Sequence, residues 1–406
     1  MTTNSLRVAL IAPPFEAVPP KLYGGTERVV HHLAQGLTEI GAQVTLFASG
    51  DSQSAGQLVP ITPEALRLMQ HPPAELGTVH TRMLLQIQKH LRNQQAFESF
   101  DIIHNHHDFW MLPLAGSQPA PVVTTLHGRL DLPDFLPVWR SAPPSHRYIS
   151  ISHSQREPAP DLPWIENIPH GIPFDDYPFQ AQPGKYLAFL GRICPEKRPE
   201  WAVQIALQSG IPLKIAAKIE GKSGRDWYDA MIKPHVDGRF IEYIGEIAEH
   251  EKGEFLGNAL GLAFPIDWPE PFGLVMIESL ACGTPVLARP VGSVPEILEH
   301  GRTAYIESGL TQLSRAALQL EKLSRSECRR VAEERFSLKR MVEAYLDVYR
   351  RVGELGNGVE SRHRRNFLHP IERPLERYTE THTQRQSRLR GLGHPGRSAP
   401  LRPPGR

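Results

Sequence analysis

Cysteine is scarce in this chain and never clustered. Its three copies, Cys194, Cys282 and Cys328, lie far apart, and no C-x-x-C occurs in the 406 residues. That excludes a disulfide framework and a cysteine-rich zinc site, and it fits a reducing cytoplasm. Long apolar runs are missing too. The first, residues 6–12, stops at Pro13-Pro14, too short for a signal peptide. No stretch approaches the roughly 20 apolar residues that span a bilayer, so the expected location is cytoplasmic. There is no G-x-G-x-x-G fingerprint, no Asp-x-Asp pair and no internal repeat. Charge of either sign is not in excess, since the net value is +1. That total conceals an asymmetry. From Ser361 onward eleven arginines face three glutamates, so the tail carries +8 and the remainder −7.

What is present describes an ordinary globular protein, with 40% hydrophobic and 22% charged residues and length enough for two domains. Residues 6–12 have the continuous apolar character of a buried parallel strand. Thr26 is placed to cap a helix carrying Val29, Val30, Leu33 and Leu37 and ending at Gly41, and residues 44–48 form the next strand. Strand, loop, helix and strand in this order make a βαβ unit and imply a parallel sheet. Further strands are expected at 101–104, 122–126 and 148–152. After a turn-rich hinge at Asn167-Ile168-Pro169-His170-Gly171-Ile172 the pattern restarts, with strands at 186–190, 213–217, 241–244, 260–265 and 285–288. Short helices are expected at 201–207 and 293–300, and a single long helix at 331–352. Beyond about Gly353, Gly, Pro, Arg, His and Gln dominate, and disorder is expected. The arginines there suit weak contact with an anionic membrane at its inner face or with nucleic acid, but a solvated tail without a partner is favoured over either.

The most informative segment reads E-P-F-G-L-V-M-I-E-S-L-A-C-G-T-P, from Glu270 to Pro285. A helix opening near Phe272 leaves the N–H groups of Gly273, Leu274 and Val275 without intrahelical acceptors. With the positive end of the dipole these make an anion site. Glu270 precedes it and Glu278 lies one turn inside, on the face of Leu274. An anion flanked by two hydroxyl-binding carboxylates suits a nucleotide sugar, with diphosphate in the middle and a sugar at each end. The bland alternative is a core helix with two solvated glutamates.

This E-x7-E string closely resembles family 4 of the retaining glycosyltransferases, an α/β class of GT-B architecture with two Rossmann-like domains facing across a cleft. The resemblance covers residues 6 to 352. It implies an acceptor-side domain at 1–169, a donor domain at 170–335, a helix crossing back at 336–353 and a basic tail at 354–406. By the same resemblance Glu270 holds donor-sugar hydroxyls and Glu278 the ribose. Gly191-Arg192-x-x-x-x-Lys197 matches the family's cationic pair on the diphosphate, where fixed positive charge meets the developing charge of the leaving group. Tyr23-Gly24-Gly25-Thr26-Glu27 resembles the opening loop, with Gly24 and Gly25 permitting close backbone approach. His127, in Thr124-Thr125-Leu126-His127-Gly128, matches a histidine near the reacting carbon. Lys218 is placed to reach a phosphate or hydroxyl, and Tyr243-Ile244-Gly245-Glu246 to border the base. Ser152 and Ser154, in a segment that resembles one near the end of the family's first domain, are placed to bind the acceptor or to cap the next helix, and the cap is favoured. The cluster His104-Asn105-His106-His107-Asp108 does not suit a metal, because neighbours on a strand point to opposite faces.

The resulting expectation is a metal-independent, retaining transfer of a hexose from UDP-glucose, or secondly GDP-mannose, to a saccharide, a lipid-linked sugar or a small metabolite such as a pteridine. No cofactor is expected, and the oligomeric state is not readable. Two rivals stand. A sugar-nucleotide epimerase would need acid/base carboxylates near His127, where Asp131 and Asp134 are the candidates. A binding module without catalysis would be expected to lack one of Arg192, Lys197, Glu270 or Glu278.

Overall fold

A computed structural model describes residues 5–69, 75–93 and 100–356. The basic tail beyond 356 lies outside them. The described residues belong to one compact unit.

Two all-parallel sheets organise the chain. The first contains β1 (Arg7–Ile11), β2 (Gln43–Ser49), β3 (Gln57–Thr62), β4 (Ile102–Asn105), β5 (Val122–Thr125), β6 (Arg147–Ser150) and β7 (Trp164–Asn167). Their spatial order is β3-β2-β1-β4-β5-β6-β7. The second contains β8 (Leu187–Arg192), β9 (Leu213–Lys218), β10 (Ile241–Gly245), β11 (Gly261–Phe264), β12 (Val286–Ala288) and β13 (Ala304–Ile306), in the order β10-β9-β8-β11-β12-β13. Central strands are apolar, β11 in full and β1 beyond Arg7, because helices cover both faces. Each order reverses once, between β1 and β4 and between β8 and β11. In open α/β sheets such reversals create the ligand crevice at the strands' carboxyl ends.

Several expectations are corrected. Helix Gly25–Glu39 starts at Gly25 with Gly24 as its cap, so Thr26 sits inside the first turn and caps nothing. Helix Leu274–Ala281 likewise starts two residues later than Phe272, with Gly273 as cap at φ 79°, a left-handed conformation that favours glycine. Arg192 ends β8 and does not follow it. The helix expected over 331–352 is two helices, Arg325–Phe336 and Leu338–Gly356. They break at Ser337, which is extended (ψ 146°). There Ile172 of the expected hinge donates to Phe336 O (3.0 Å) and accepts from Leu338 N (3.0 Å). Helix Leu338–Gly356 then packs Met341, Val342, Tyr345, Val348 and Tyr349 against Val29, Leu33 and Leu37 of the first half. Gly36 permits the approach, since a side chain there would meet Val342.

Candidate functional site

The second sheet's reversal brings the loop after β8 to the loop after β11. Lys197 Nζ is ion-paired with Glu270 Oε2, and both side chains are nearly buried. Trp268 Nε1 donates to the same Oε2 at 3.0 Å. Its ring also lies 4.8 Å from Lys197 Nζ, a cation–π contact. Both donors thus converge on one oxygen of Glu270. The backbone behind it is fixed as well. Ser293 N donates to Glu270 O (3.0 Å), and Gly292, at φ 55°, lies so close that a Cβ would collide with the Glu270 backbone.

Immediately after this carboxylate comes the start of helix Leu274–Ala281. The N–H groups of Leu274 and Val275 have no acceptor among the described residues, whereas Met276 N bonds Gly273 O (3.0 Å). Phe272 is buried beneath and packs edge-on against His170, with ring centroids 4.7 Å apart. One turn in, Glu278 is 1% exposed. Its Oε1 accepts from Arg28 Nη1 at 2.7 Å, and Lys252 Nζ stands 3.7 Å away. Arg28 Nη2 reaches Glu249 (2.7 Å), which also accepts from Tyr177 OH (2.9 Å). A guanidinium from the first half is therefore clamped by two carboxylates of the second.

The remaining cations gather around Tyr23. Arg192 lies 5.8 Å and Lys218 5.4 Å from its ring. Lys218 is paired with Glu220, and Arg192 stands 3.4 Å from Glu220 and 3.7 Å from Glu196. Tyr23 N donates to Glu246 (3.0 Å), next to Gly245, which has φ 83°. Gly24 packs on Pro20, and Gly25 faces Leu274 Cδ1 at 3.6 Å from an ideal Cβ. The start of the first helix of the first half thus confronts the start of helix Leu274–Ala281.

His127 completes the wall opposite. Its Nε2 shares a 2.9 Å hydrogen bond with His106 Nδ1, and its ring stacks on His170 at 5.2 Å. Burial pushes its pKa down to about 3, so it is neutral at physiological pH. Its Nδ1 is buried without a partner among the described residues, and is a donor or an acceptor according to tautomer. His104 is taken by Tyr349 OH (2.7 Å) and Thr125 (2.8 Å). No group of three His, Cys, Asp or Glu side chains is placed to share a metal ion among the described residues. Ser152 Oγ accepts from Gln155 N (3.1 Å), while the N–H groups of His153 and Ser154 hold Glu296 (2.7 Å each). Asp131, the candidate acid of an epimerase, is held on both oxygens by Arg129 at 2.5 Å.

Arg28, Trp268, Gly292 and the ring of Tyr23 were not singled out from sequence. Trp268 had a local signal, an aromatic two residues before Glu270. Arg28 had none, because its partner is 250 positions away.

Two Rossmann-like sheets with cationic and carboxylate side chains converging at their facing carboxyl ends define a GT-B glycosyltransferase. Residues 23–176 match Glycosyltransferase Family 4 and residues 177–336 match Glycosyl transferases group 1, and the chain belongs to this family. D-inositol 3-phosphate glycosyltransferase of Pseudarthrobacter chlorophenolicus is 26% identical over 356 residues, covering 75% of this chain and 83% of the relative. Sucrose-phosphate synthase of Thermosynechococcus elongatus shares the fold with a TM-score of 0.71 at 17% identity, over 86% of this chain and 100% of that one. An Anabaena protein solved in complex with UDP-glucose has a TM-score of 0.64 at 14% identity, over 85% and 100%. No helix among the described residues is long and apolar enough to cross a membrane.

Proposed function

We propose that this glycosyltransferase is a retaining, metal-independent hexosyltransferase using UDP-glucose, with GDP-mannose as the next donor. The observation that carries the reading is the Lys197–Glu270–Trp268 contact beside the open N–H groups of Leu274 and Val275. A diphosphate at that helix start is met by backbone donors and by Arg192 and Lys197. Glu270 Oε1 takes a donor-sugar hydroxyl, and Glu278 uses the oxygen not engaged by Arg28 for the ribose. Lys218 and the Gly245 turn border the nucleotide, and Gly24 and Gly25 let the opening loop close over it. His127 offers Nδ1 to the transferred sugar. A UDP-glucose complex of a protein with this fold supports the donor.

In the front-face reaction the acceptor oxygen bonds to the anomeric carbon as the bond to the diphosphate breaks. The diphosphate leaves with the electron pair and its oxygen takes the hydroxyl proton. Positive charge fixed in advance lowers the barrier for that departure. Glu270 is a poor nucleophile here, because Oε2 is already engaged by Lys197 and Trp268.

Incubation with a panel of nucleotide sugars without acceptor, in the presence of chelator, tests this. Slow release of one nucleoside diphosphate is expected, indifferent to chelation and abolished by Glu270→Ala or Lys197→Ala in folded protein. Undiminished turnover in those variants would reject the assignment.

A further inference from the structure

Among the described residues, two that are not glycine take a left-handed backbone, Asp108 and Arg198. Arg198 has φ 51° and ψ 46° and follows Lys197 directly. It also precedes Pro199, and a proline pushes the residue before it toward extended backbone. A side chain in this position is disfavoured twice, and such a conformation persists only where its surroundings impose it. Glycine would remove the first penalty. What arginine adds therefore lies in its side chain.

The guanidinium of Arg198 grips Asp267, in the loop after β11. Nε donates to Asp267 Oδ2 at 3.0 Å, and Nη2 donates to the same oxygen. Nη1 reaches Glu200 at 3.3 Å, and the ring of Trp201 lies 5.4 Å from the guanidinium carbon. Asp267 Oδ1 accepts from Arg289, which follows β12 and also donates to Ser308 O, beyond β13, at 3.2 Å. The same Trp201 ring lies 5.0 Å from the Arg289 guanidinium. Arg198, and after it Arg289, holds the Asp267 carboxyl below its ordinary range. The loops that follow β8, β11, β12 and β13 thus meet at one carboxylate.

This junction lies beside the donor machinery. Lys197 and Glu270 make an inner tie between the loops after β8 and β11. Arg198 and Asp267 make an outer one, a residue beyond Lys197 and a residue ahead of Trp268. A diphosphate affects the two differently. Lys197 has to leave Glu270 to meet the phosphate, which opens the inner tie. The outer tie does not depend on its ion pair, whose side chains are each a third exposed and gain little from charge alone. Backbone bonds hold it as well. Asp267 N donates to Glu196 O at 2.8 Å, and Arg198 N donates to Pro195 O at 3.2 Å. Arg198 O accepts from Trp201 N at 3.0 Å, which opens helix Pro199–Ser209.

We infer that Arg198 is a positioning residue for the transfer reaction. Through Asp267 it keeps Lys197 and the Trp268–Glu270 segment at a fixed separation after Lys197 has turned to the diphosphate. The inference rests on the donor reading above and adds a residue that touches neither donor nor acceptor.

Arg198→Gly and Arg198→Ala, in the full chain, separate the clasp from the strain. Both lose the grip on Asp267. Glycine alone relieves the left-handed backbone, so Arg198→Gly is expected to melt higher than Arg198→Ala. Donor turnover without acceptor is expected to fall about 10- to 100-fold in both alike, more in kcat than through donor KM. Calorimetry should still count the native number of UDP sites. Arg198→Lys, which keeps the charge without the fork, is expected in between. A further readout needs no donor. Exchange of the Trp268 indole N–H in the ligand-free protein, followed by heteronuclear NMR and assigned with Trp268→Phe, should quicken about tenfold in both variants. Turnover equal to that of the native chain, turnover that ranks with melting temperature, or unchanged indole exchange overturns the inference. Failure of the donor reading shows separately: the native chain then neither binds UDP nor releases it from any nucleotide sugar, while indole exchange still quickens in the variants.

Discussion

Replacing Arg28 by methionine removes one of four charges that cancel inside the protein. Arg28, Glu249, Lys252 and Glu278 balance as two positive and two negative, and the side chains of Arg28, Lys252 and Glu278 are all under a tenth exposed. Burial opposes the guanidinium's charge, but Glu278 and Glu249 more than compensate and raise its pKa on balance. In Arg28→Met two carboxylates share one ammonium; Glu249, about a third exposed, keeps part of its hydration, whereas Glu278 stays out of water. Breaking a buried pair in this way costs about 3–5 kcal/mol, because the orphaned charge remains desolvated. Arg28→Lys keeps the charge but not the fork that spans Glu249 and Glu278, so a smaller loss of about 1.5–3 kcal/mol is expected. Arg28→Met combined with Glu278→Gln restores neutrality and is expected to be more stable than Arg28→Met alone. Urea unfolding followed by tryptophan fluorescence reads all three, and the losses should persist in 1 M salt, since buried pairs are poorly screened. A loss under about 1 kcal/mol for Arg28→Met, or a double variant weaker than the single, would refute the clamp.

Three further outcomes follow from the geometry. Trp268→Phe keeps a ring near Lys197 but removes the 3.0 Å donor to Glu270; a hydrogen bond to a charged group is worth about 1.5–3 kcal/mol, so the melting temperature should fall by several degrees, and donor turnover should fall more than that loss of folded protein accounts for. Gly292→Ala drives a methyl group into the Glu270 backbone from a left-handed conformation, and turnover should be lost while circular dichroism stays native. Stability should fall on acidification. His107 and His127 are pushed by burial to about 3 and His146 to about 4, so each stabilises the fold above the unfolded value of about 6.5 and loses up to about 1.4 kcal/mol per pH unit as pH drops. Glu16 and Glu27, pushed by burial up to about 7, act oppositely. Their contribution is complete below about 4.5 and is lost as pH rises through 7. They partly offset the histidines between pH 6.5 and 4.5, and the decline should steepen below 4.5. A midpoint of urea unfolding that stays flat from pH 6.5 to 4 would contradict this.

Legibility of the fold followed the strength of local patterning. β1, β8 and β11, at the reversal points, were readable because each carries a continuous apolar run. β3, β7 and β13 were not recognised. β3 contains Pro60 and lies at an edge, where a missing ladder donor is tolerated. β7 is half-buried at the opposite edge, and β13 has only three residues. The break at Ser337 was hidden because apolar periodicity runs straight through it; the cause is Ile172, more than 160 positions away. For the site, residues whose chemistry is local were legible. A helix start next to Gly273, with Glu270 ahead of it, was legible, although the helix opens at Leu274 with Gly273 as its cap. Long-range partners such as Arg28 for Glu278 were invisible, since pairing across 250 positions leaves no trace in spacing.

The account depends most on where a nucleoside diphosphate binds. A crystal structure of the protein soaked with UDP and chelator is expected to show the diphosphate on the N–H groups of Leu274 and Val275, with Arg192 and Lys197 turned from their carboxylate partners onto its oxygens. UDP bound at another place, or bound here with both cations still paired to Glu196, Glu220 and Glu270, would contradict it.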